Sequence, residues 1–327
     1  NNPHAGIEGM MIAGYATGAR EGIIYITADK AVARERVERA IDQAEDRGLL
    51  GEELPGSDLR FSIRVAAVPR SLIGGEETAL IAALEGQRPM PRVRPPWPAE
   101  AGLNGLPTVI DNAETLAALP WILNNGAEAF RTTGAPNAPG TTIYTLLGAV
   151  GKPGFFEATM DTTIKRLATE AGGGFAGEAK AALVGSVTGG FLSPGLFDIP
   201  LDYDSLKETG GDLGAGTISI LGSDACVVDV TRQCLAITSG EACGKCVPGR
   251  LGTWRLLDIM ERVTSGGGSE ADLELAGELA LDIADGALCG LGRGAVRPLL
   301  TALSFFKPEF LQQVNERRCA AGKCEMK

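Results

Sequence analysis

Seven cysteines and one histidine bound the metal and redox chemistry open to this 327-residue chain. Cys243 and Cys246 stand three residues apart in Cys243-Gly-Lys-Cys246-Val-Pro-Gly249-Arg250, ahead of a helical stretch, and Cys289 follows in Cys289-Gly-Leu-Gly. Thiols in that pattern suit iron or zinc ligation far better than a disulfide. A C-x2-C-x2-C run would carry its third cysteine at position 249, where this chain has glycine. Three thiolates cannot by themselves close a four-ligand cube. A second thiol pair ends the chain in Cys319-Ala-Ala-Gly-Lys-Cys324. The competing reading of any of these thiols is burial as a small apolar side chain, which describes Cys234 well.

The elements that must position these groups follow from pattern. Hydrophobic residues make up 44% of the chain, ordinary for a globular protein with room for two or three domains. A formal charge of −11 repels phosphate backbones and anionic membranes, so nucleic acid is not an expected partner. No window approaches the length of a membrane-spanning helix, which argues against direct membrane insertion. The start, Asn1-Asn-Pro-His4, has neither a basic leader nor an initiator methionine, and we read it as the interior of a longer, cytoplasmic protein.

Gly6 to Ala16 has helical spacing, Ile23 to Thr27 reads as a buried strand, Ala31 to Gly48 as a helix and Phe61 to Ala67 as a strand. This alternation is an α/β layout. Five prolines between Gln87 and Leu106 mark a loop, and a helix resumes near Asn112 to Asn124. Thr141 to Val150 reads as a strand in a glycine-rich α+β module with one helix, Thr162 to Ala171. From Cys234 onward, the stretches Arg250 to Thr264, Glu270 to Gly286, Ala295 to Phe306 and Glu309 to Arg318 make a helical bundle. Its hairpin connections put Cys289 at the same end as the Cys243 turn.

Three segments in order carry a resemblance: Gly75-Glu76-Glu77-Thr78-Ala-Leu80; Arg92-Val-Arg94-Pro-Pro-Trp97-Pro running to Pro107-Thr-Val-Ile110-Asp111-Asn112-Ala-Glu114-Thr115; and Glu241-Ala-Cys243-Gly-Lys-Cys246-Val-Pro-Gly249-Arg250. Together the chain resembles the NADH-binding flavoprotein subunit of respiratory complex I and its relatives in NAD-linked hydrogenases and formate dehydrogenases. The resemblance implies a multidomain α/β (α+β) fold. Its expected parts are an FMN and NADH domain over 1–137, a ubiquitin-like β-grasp module over 138–222, a helical bundle holding a 4Fe-4S cluster over 223–318, and a cysteine-containing tail over 319–327. It implies a diaphorase-type oxidoreductase subunit, peripheral to a larger complex, passing electrons between NAD(H) and an iron-sulfur chain through FMN. Its expected partners are a thioredoxin-like 2Fe-2S subunit and other iron-sulfur subunits.

By position, Gly75 would let backbone approach the flavin, and Glu76 and Glu77 would face the flavin and nicotinamide. Ile110, Asp111, Asn112 and Thr115 would lie at the ribityl and phosphate, Trp97 would stack on adenine with Arg94 alongside, and Cys243, Cys246 and Cys289 would ligate the cluster. In hydrogenase-type relatives a terminal pair like Cys319 and Cys324 joins a cysteine at the position of Cys226 in a zinc or further iron-sulfur site, with a histidine expected near Gln313. The residues also admit plainer roles: Glu76 and Glu77 as a helix N-terminus, Trp97 as a cover over apolar surface. Several positions depart from the family pattern. Leu72-Ile73-Gly74-Gly75 replaces a tyrosine, an aliphatic residue, cysteine and glycine; Asp111-Asn112 replaces an asparagine pair; Gly249 replaces a cysteine. The other reading is therefore a structural or docking paralogue that has lost FMN, the cluster, or both.

Overall fold

A proline at the first helical position and a left-handed glycine past the last bracket α1 (Pro3–Thr17). The computed structural model describes residues 2–51 and 60–326; Asn1 and Lys327, the outer limits of the expected domain spans, lie outside them. The chain forms two compact units, residues 1–130 and 131–327. In the first, β1 (Glu21–Thr27) pairs in parallel with β2 (Ser62–Val68), and α2 (Ala31–Asp46) lies between them in sequence, a crossover that parallel strands require. Ile7, Ile41, Leu50, Phe61 and Ile63 fill the core beneath.

Next come α3 (Glu77–Leu84) and α4 (Ala113–Asn125). The proline-rich segment between them holds only short turns, Pro98–Ala101 and Leu103–Gly105. The backbones of α1 and α4 touch: a Cβ on Gly9 would lie 1.8 Å from the Leu116 carbonyl oxygen. Only glycine permits that approach.

After a short antiparallel pair over Gly134–Ala135 and Ala138–Pro139, the second unit forms a five-stranded sheet. Its strands are β3 (Thr141–Gly148), β4 (Gly154–Thr159), β5 (Ala179–Val184), β6 (Gly190–Leu192) and β7 (Thr217–Gly222). Their order is β4-β3-β7-β5-β6, with β3 and β7 parallel and the other pairs antiparallel, which is the β-grasp arrangement. The helix expected over Thr162 to Ala171 is a single α turn, Ile164–Arg166, continued by a wider turn to Ala171. Strand periodicity divides the side chains between two cores. Ala182 and Val184 join Tyr144, Leu146, Ile218 and Ile220 on one side, while Ala181, Leu183 and Phe191 enter the core of the helices that follow.

Those helices are α5 (Val227–Gly240), α6 (Thr253–Thr264), α7 (Glu270–Gly286), the short α8 (Gly290–Gly294), α9 (Arg297–Phe305) and α10 (Lys307–Glu316). The bundle begins at Val227, ahead of Cys234, from which pattern alone reads helix, and inside the span 223–318 that the resemblance implies. Leu256, Ile259, Met260, Leu299 and Phe310 are fully buried, each contributing about 1.5–3 kcal/mol by leaving water. Sheet and bundle are joined by polar contacts: on the edge strand β6 the Phe191 N–H donates to Thr301 Oγ1 at 2.9 Å, and elsewhere Lys180 Nζ meets Glu309 Oε1 at 2.8 Å and Arg297 Nη1 meets Asp212 Oδ2 at 2.7 Å. An edge strand covered this way is closed to further pairing.

Candidate functional site

In the first unit, Glu76 is the N-cap of α3. Its Oε2 accepts from the Thr78 N–H at 3.0 Å, the Ala79 N–H at 2.8 Å and the Thr78 hydroxyl at 2.6 Å. One carboxylate oxygen is thus committed to the orphan amides of the helix start. The other, Oε1, lies 3.6 Å from Arg94, which also donates to Glu77 Oε2 at 2.7 Å. The same guanidinium sits 5.0 Å from the centre of the Trp97 ring, a cation–π contact that fixes the ring while leaving Trp97 52% exposed. Gly75 is exposed, and a Cβ there would meet nothing within 4 Å, so its backbone is open to a ligand. Glu76, Glu77, Arg94 and Trp97 are therefore gathered into one network beside Gly75.

Asp111, Asn112 and Thr115 belong to a different element, the exposed N-terminus of α4. Asn112 Oδ1 caps it by accepting the Glu114 N–H at 2.8 Å, and Asp111 Oδ1 accepts the Asn112 N–H at 2.9 Å. Free amides at a helix start suit a phosphate, and the Asp111 carboxylate opposes one. Half-buried Ile110 precedes them.

In the second unit Cys243 and Cys246 lie on the turn after α5, and Cys289 is the N-cap of α8. The turn Pro248–Gly252 packs on the end of α7: a Cβ on Gly252 would lie 2.7 Å from Ile283, and one on Gly286 would lie 3.3 Å from Pro248. Burial pushes the Cys289 thiol up; the Gly292 N–H opposes that rise, and nearby charge at Cys243 and Cys246 adds to it. Because the turn that follows Cys246 packs on the end of α7, just ahead of Cys289, the three thiols lie at one end of the bundle. A Cβ at Gly249 would sit 3.1 Å from Cys246 Sγ, at that same end.

A tighter thiol group lies elsewhere in this unit. The sulfurs of Cys226, Cys319 and Cys324 all lie within 4.8 Å of one another, and Cys226 and Cys324 are 3.7 Å apart. Bonds of about 2.3 Å to one tetrahedral zinc would hold two sulfurs about 3.8 Å apart, so the spacing fits a mononuclear centre. Gln313, 2% exposed, donates from Nε2 to Cys226 at 3.2 Å and to Cys324 at 3.5 Å. Its Oε1 is buried without a hydrogen-bond partner, and turning the carboxamide over brings that oxygen to the sulfurs as a fourth donor. The Cys324 S–H holds the Cys226 thiol down to about 6, helped by the Asp229 N–H, while Cys324 itself is pushed up by the thiolate beside it. Cys234 joins neither set: burial in the bundle core pushes its thiol up to about 12.

Thr78, Arg92 and Arg250 help build these sites and are given no role by the sequence reading. Thr78 links helix to loop, donating to Glu76 and accepting the Arg92 N–H at 2.9 Å. Arg92 also donates to the Ala101 carbonyl, and its Nε is buried without an acceptor. Arg250 ties the cysteine turn by donating to the Gly244 carbonyl at 2.9 Å. An N-cap followed two residues later by threonine was a readable cue for Thr78; the two arginines had none.

The sequence matches the Nuo51 FMN-binding domain over residues 1–121 and the NADH-ubiquinone oxidoreductase-F iron-sulfur binding region over residues 229–313. The chain belongs to the NADH-quinone oxidoreductase-F family, shared by complex I and hydrogenases. It is similar to the NADP-reducing hydrogenase component HndC of Solidesulfovibrio fructosivorans, 38% identical over 99% of this chain and 66% of HndC. It is also similar to an F-type component of the NADH-quinone oxidoreductase of Rhizobium meliloti, 37% identical over 97% of this chain and 76% of that protein. Among solved structures it resembles an NAD+-reducing nickel-iron hydrogenase in the H2-reduced state, with a TM-score of 0.86 and 26% identity over 96% of this chain. The chain spans 52% of that hydrogenase chain and just under two thirds of HndC.

Proposed function

We propose that the protein is a diaphorase-type electron-transfer subunit, passing electrons between NAD(H) and an iron-sulfur chain through FMN within a larger redox complex. The observation that carries this reading is the packing of the Cys243–Cys246 turn on the end of α7 just ahead of Cys289, which sets all three thiols at one end of the bundle, inside the matched iron-sulfur region. FMN, when bound, supplies the exchange between two-electron and one-electron chemistry. The chain's own residues bind and orient. Gly75 presents open backbone to the flavin, and Arg94, held by Glu77 and Glu76, fixes Trp97 as a stacking surface for the nucleotide's adenine. Asn112 shapes the start of α4 toward the phosphate, with Ile110 and Thr115 flanking it. Cys243, Cys246 and Cys289 would hold a 4Fe-4S cluster.

The domain assignment we propose is the FMN and NADH domain over 1–137, the β-grasp module over 138–222, the cluster-binding bundle over 223–318 and the tail over 319–327. Cys226, Cys319 and Cys324, with Gln313, would hold zinc, tying the tail to the start of α5; their spacing supports a single ion over a second cluster. A thioredoxin-like 2Fe-2S subunit and other iron-sulfur subunits are the partners, in a cytoplasmic assembly peripheral to a membrane complex. No helix among the described residues is long and apolar enough to cross a membrane. Flavin, iron and zinc analysis of anaerobically purified protein tests this. Stoichiometric FMN with iron and zinc is expected; protein with neither flavin nor iron would favour the docking role instead.

A further inference from the structure

The corner of the cluster neighbourhood at Gly249 has no side chain to fill it. Gly249 is buried, and a Cβ built there would meet Cys246 Sγ at 3.1 Å and no other atom within 4 Å beyond its own turn. The turn cannot readily swing another residue into the gap, because it is held at several points. The Arg250 N–H bonds the Cys246 carbonyl at 3.0 Å, Thr253 Oγ1 donates to the Gly249 carbonyl at 2.7 Å, and Arg250 Nη1 reaches the Gly244 carbonyl at 2.9 Å. Other soft donors are committed elsewhere. Cys226, Cys319 and Cys324 form their own group, Cys234 is packed in the bundle core, and the chain's one histidine, His4, belongs to the other unit and bonds Gln43 at 3.0 Å.

Resting on the reading that Cys243, Cys246 and Cys289 hold a cluster, we propose that the cluster has one iron without a protein thiolate, placed at Gly249 and completed by an exchangeable hydroxide or small thiol. An iron without a cysteine bond is held only by the cluster's sulfides and its exchangeable ligand. A one-electron oxidant therefore removes it. The four-iron cluster in its 2+ state releases that corner as Fe2+ and gives one electron to the oxidant, leaving a three-iron, four-sulfide cluster of charge 1+. Ferrous iron and one electron from a reductant reverse the step. The corner is thus both a site for small anionic or thiol ligands and the point where the cluster is lost or rebuilt.

The test compares the reconstituted protein with Gly249→Cys and Gly249→Ala, treated anaerobically with ferricyanide and followed by electron paramagnetic resonance and iron analysis. In Gly249→Cys the Cys246 sulfur must give by a few tenths of an ångström, which a side-chain end can do. The unsubstituted protein and Gly249→Ala should lose about one iron in four and develop the three-iron signal, reversed by ferrous iron with dithionite. Gly249→Cys should keep its iron and stay without that signal. Circular dichroism checks that each variant is folded, and if Gly249→Cys is not, the first two proteins decide alone. A four-iron cluster that survives ferricyanide intact in the unsubstituted protein overturns the proposal while leaving the cluster reading standing. Absence of any cluster from every folded protein overturns both.

Discussion

The contact between α1 and α4 permits a prediction in which one substitution at two positions of the same helix acts with opposite sign. At Gly6 a Cβ would meet nothing within 4 Å; at Gly9 it would lie 1.8 Å from the Leu116 carbonyl oxygen and 2.5 Å from its carbon. Gly6→Ala removes only the backbone entropy of a helical glycine, a gain of up to about 1 kcal/mol. Gly9→Ala receives the same gain but places its methyl about 1.6 Å inside ordinary contact, against backbone that no rotamer change can move. The helices must separate, at a cost of about 3 kcal/mol, the upper end for overpacking with backbone shifts. The net expected difference between the two variants is about 3 kcal/mol, since the propensity gain is common to both. Urea unfolding followed by Trp121, which lies on α4, reads it out. Because α4 carries Asn112 and Thr115 at its start, Gly9→Ala should also weaken FMN retention. Equal midpoints for the two variants would refute the close approach and the reasoning built on it.

Three further outcomes follow from the sites. Asp111 is exposed, so its repulsion of an FMN phosphate is screened nearly as in water, about 1 kcal/mol at 4 Å, and Asp111→Asn should lower the FMN dissociation constant about fivefold; equal affinities would move the phosphate away from α4. Trp97→Ala should weaken NADH binding by about 1–3 kcal/mol, the value of an aromatic face against a base, in a fluorescence titration, and no change would remove the stacking role. With zinc chelated away, Cys226 is ionised in the fold above about 6 but protonated in the unfolded chain up to its ordinary 9.0. Its stabilisation is therefore complete above about 9, shrinks as pH falls through that window and vanishes below about 6, with Cys324 acting oppositely at the alkaline end. Urea midpoints of the chelated protein should rise from about pH 6 to about pH 8, and Cys226→Ser should flatten that rise.

Much of the architecture was legible because its elements announce their ends. Glu270–Gly286 follows a serine that caps it and stops at glycine, and the reading of 270–286 coincides with the helix. The start of α5 was less so, because Val227, Val228, Val230 and Thr231 are β-branched residues with weak helix preference. Tertiary burial of Val227, Val228 and Thr231 overrides that preference. The spacing of Cys243, Cys246 and Cys289 displays metal chemistry openly. The meeting of Cys226 with Cys324, 98 residues apart, is expected from the family resemblance alone, since no local spacing displays it and the return of the tail past α10 onto the start of α5 creates it. Residue type likewise hid the division of labour within Glu76, whose one oxygen caps α3 while the other faces Arg94.

The most direct test of the central claim is anaerobic addition of NADH to the purified, cofactor-loaded protein, followed in one experiment by flavin absorbance and by low-temperature electron paramagnetic resonance. The account predicts that NADH bleaches the flavin band and that the signal of a reduced iron-sulfur cluster then grows. A protein whose bound flavin stays oxidised under excess NADH, or whose cluster never accepts an electron from the reduced flavin, would contradict it.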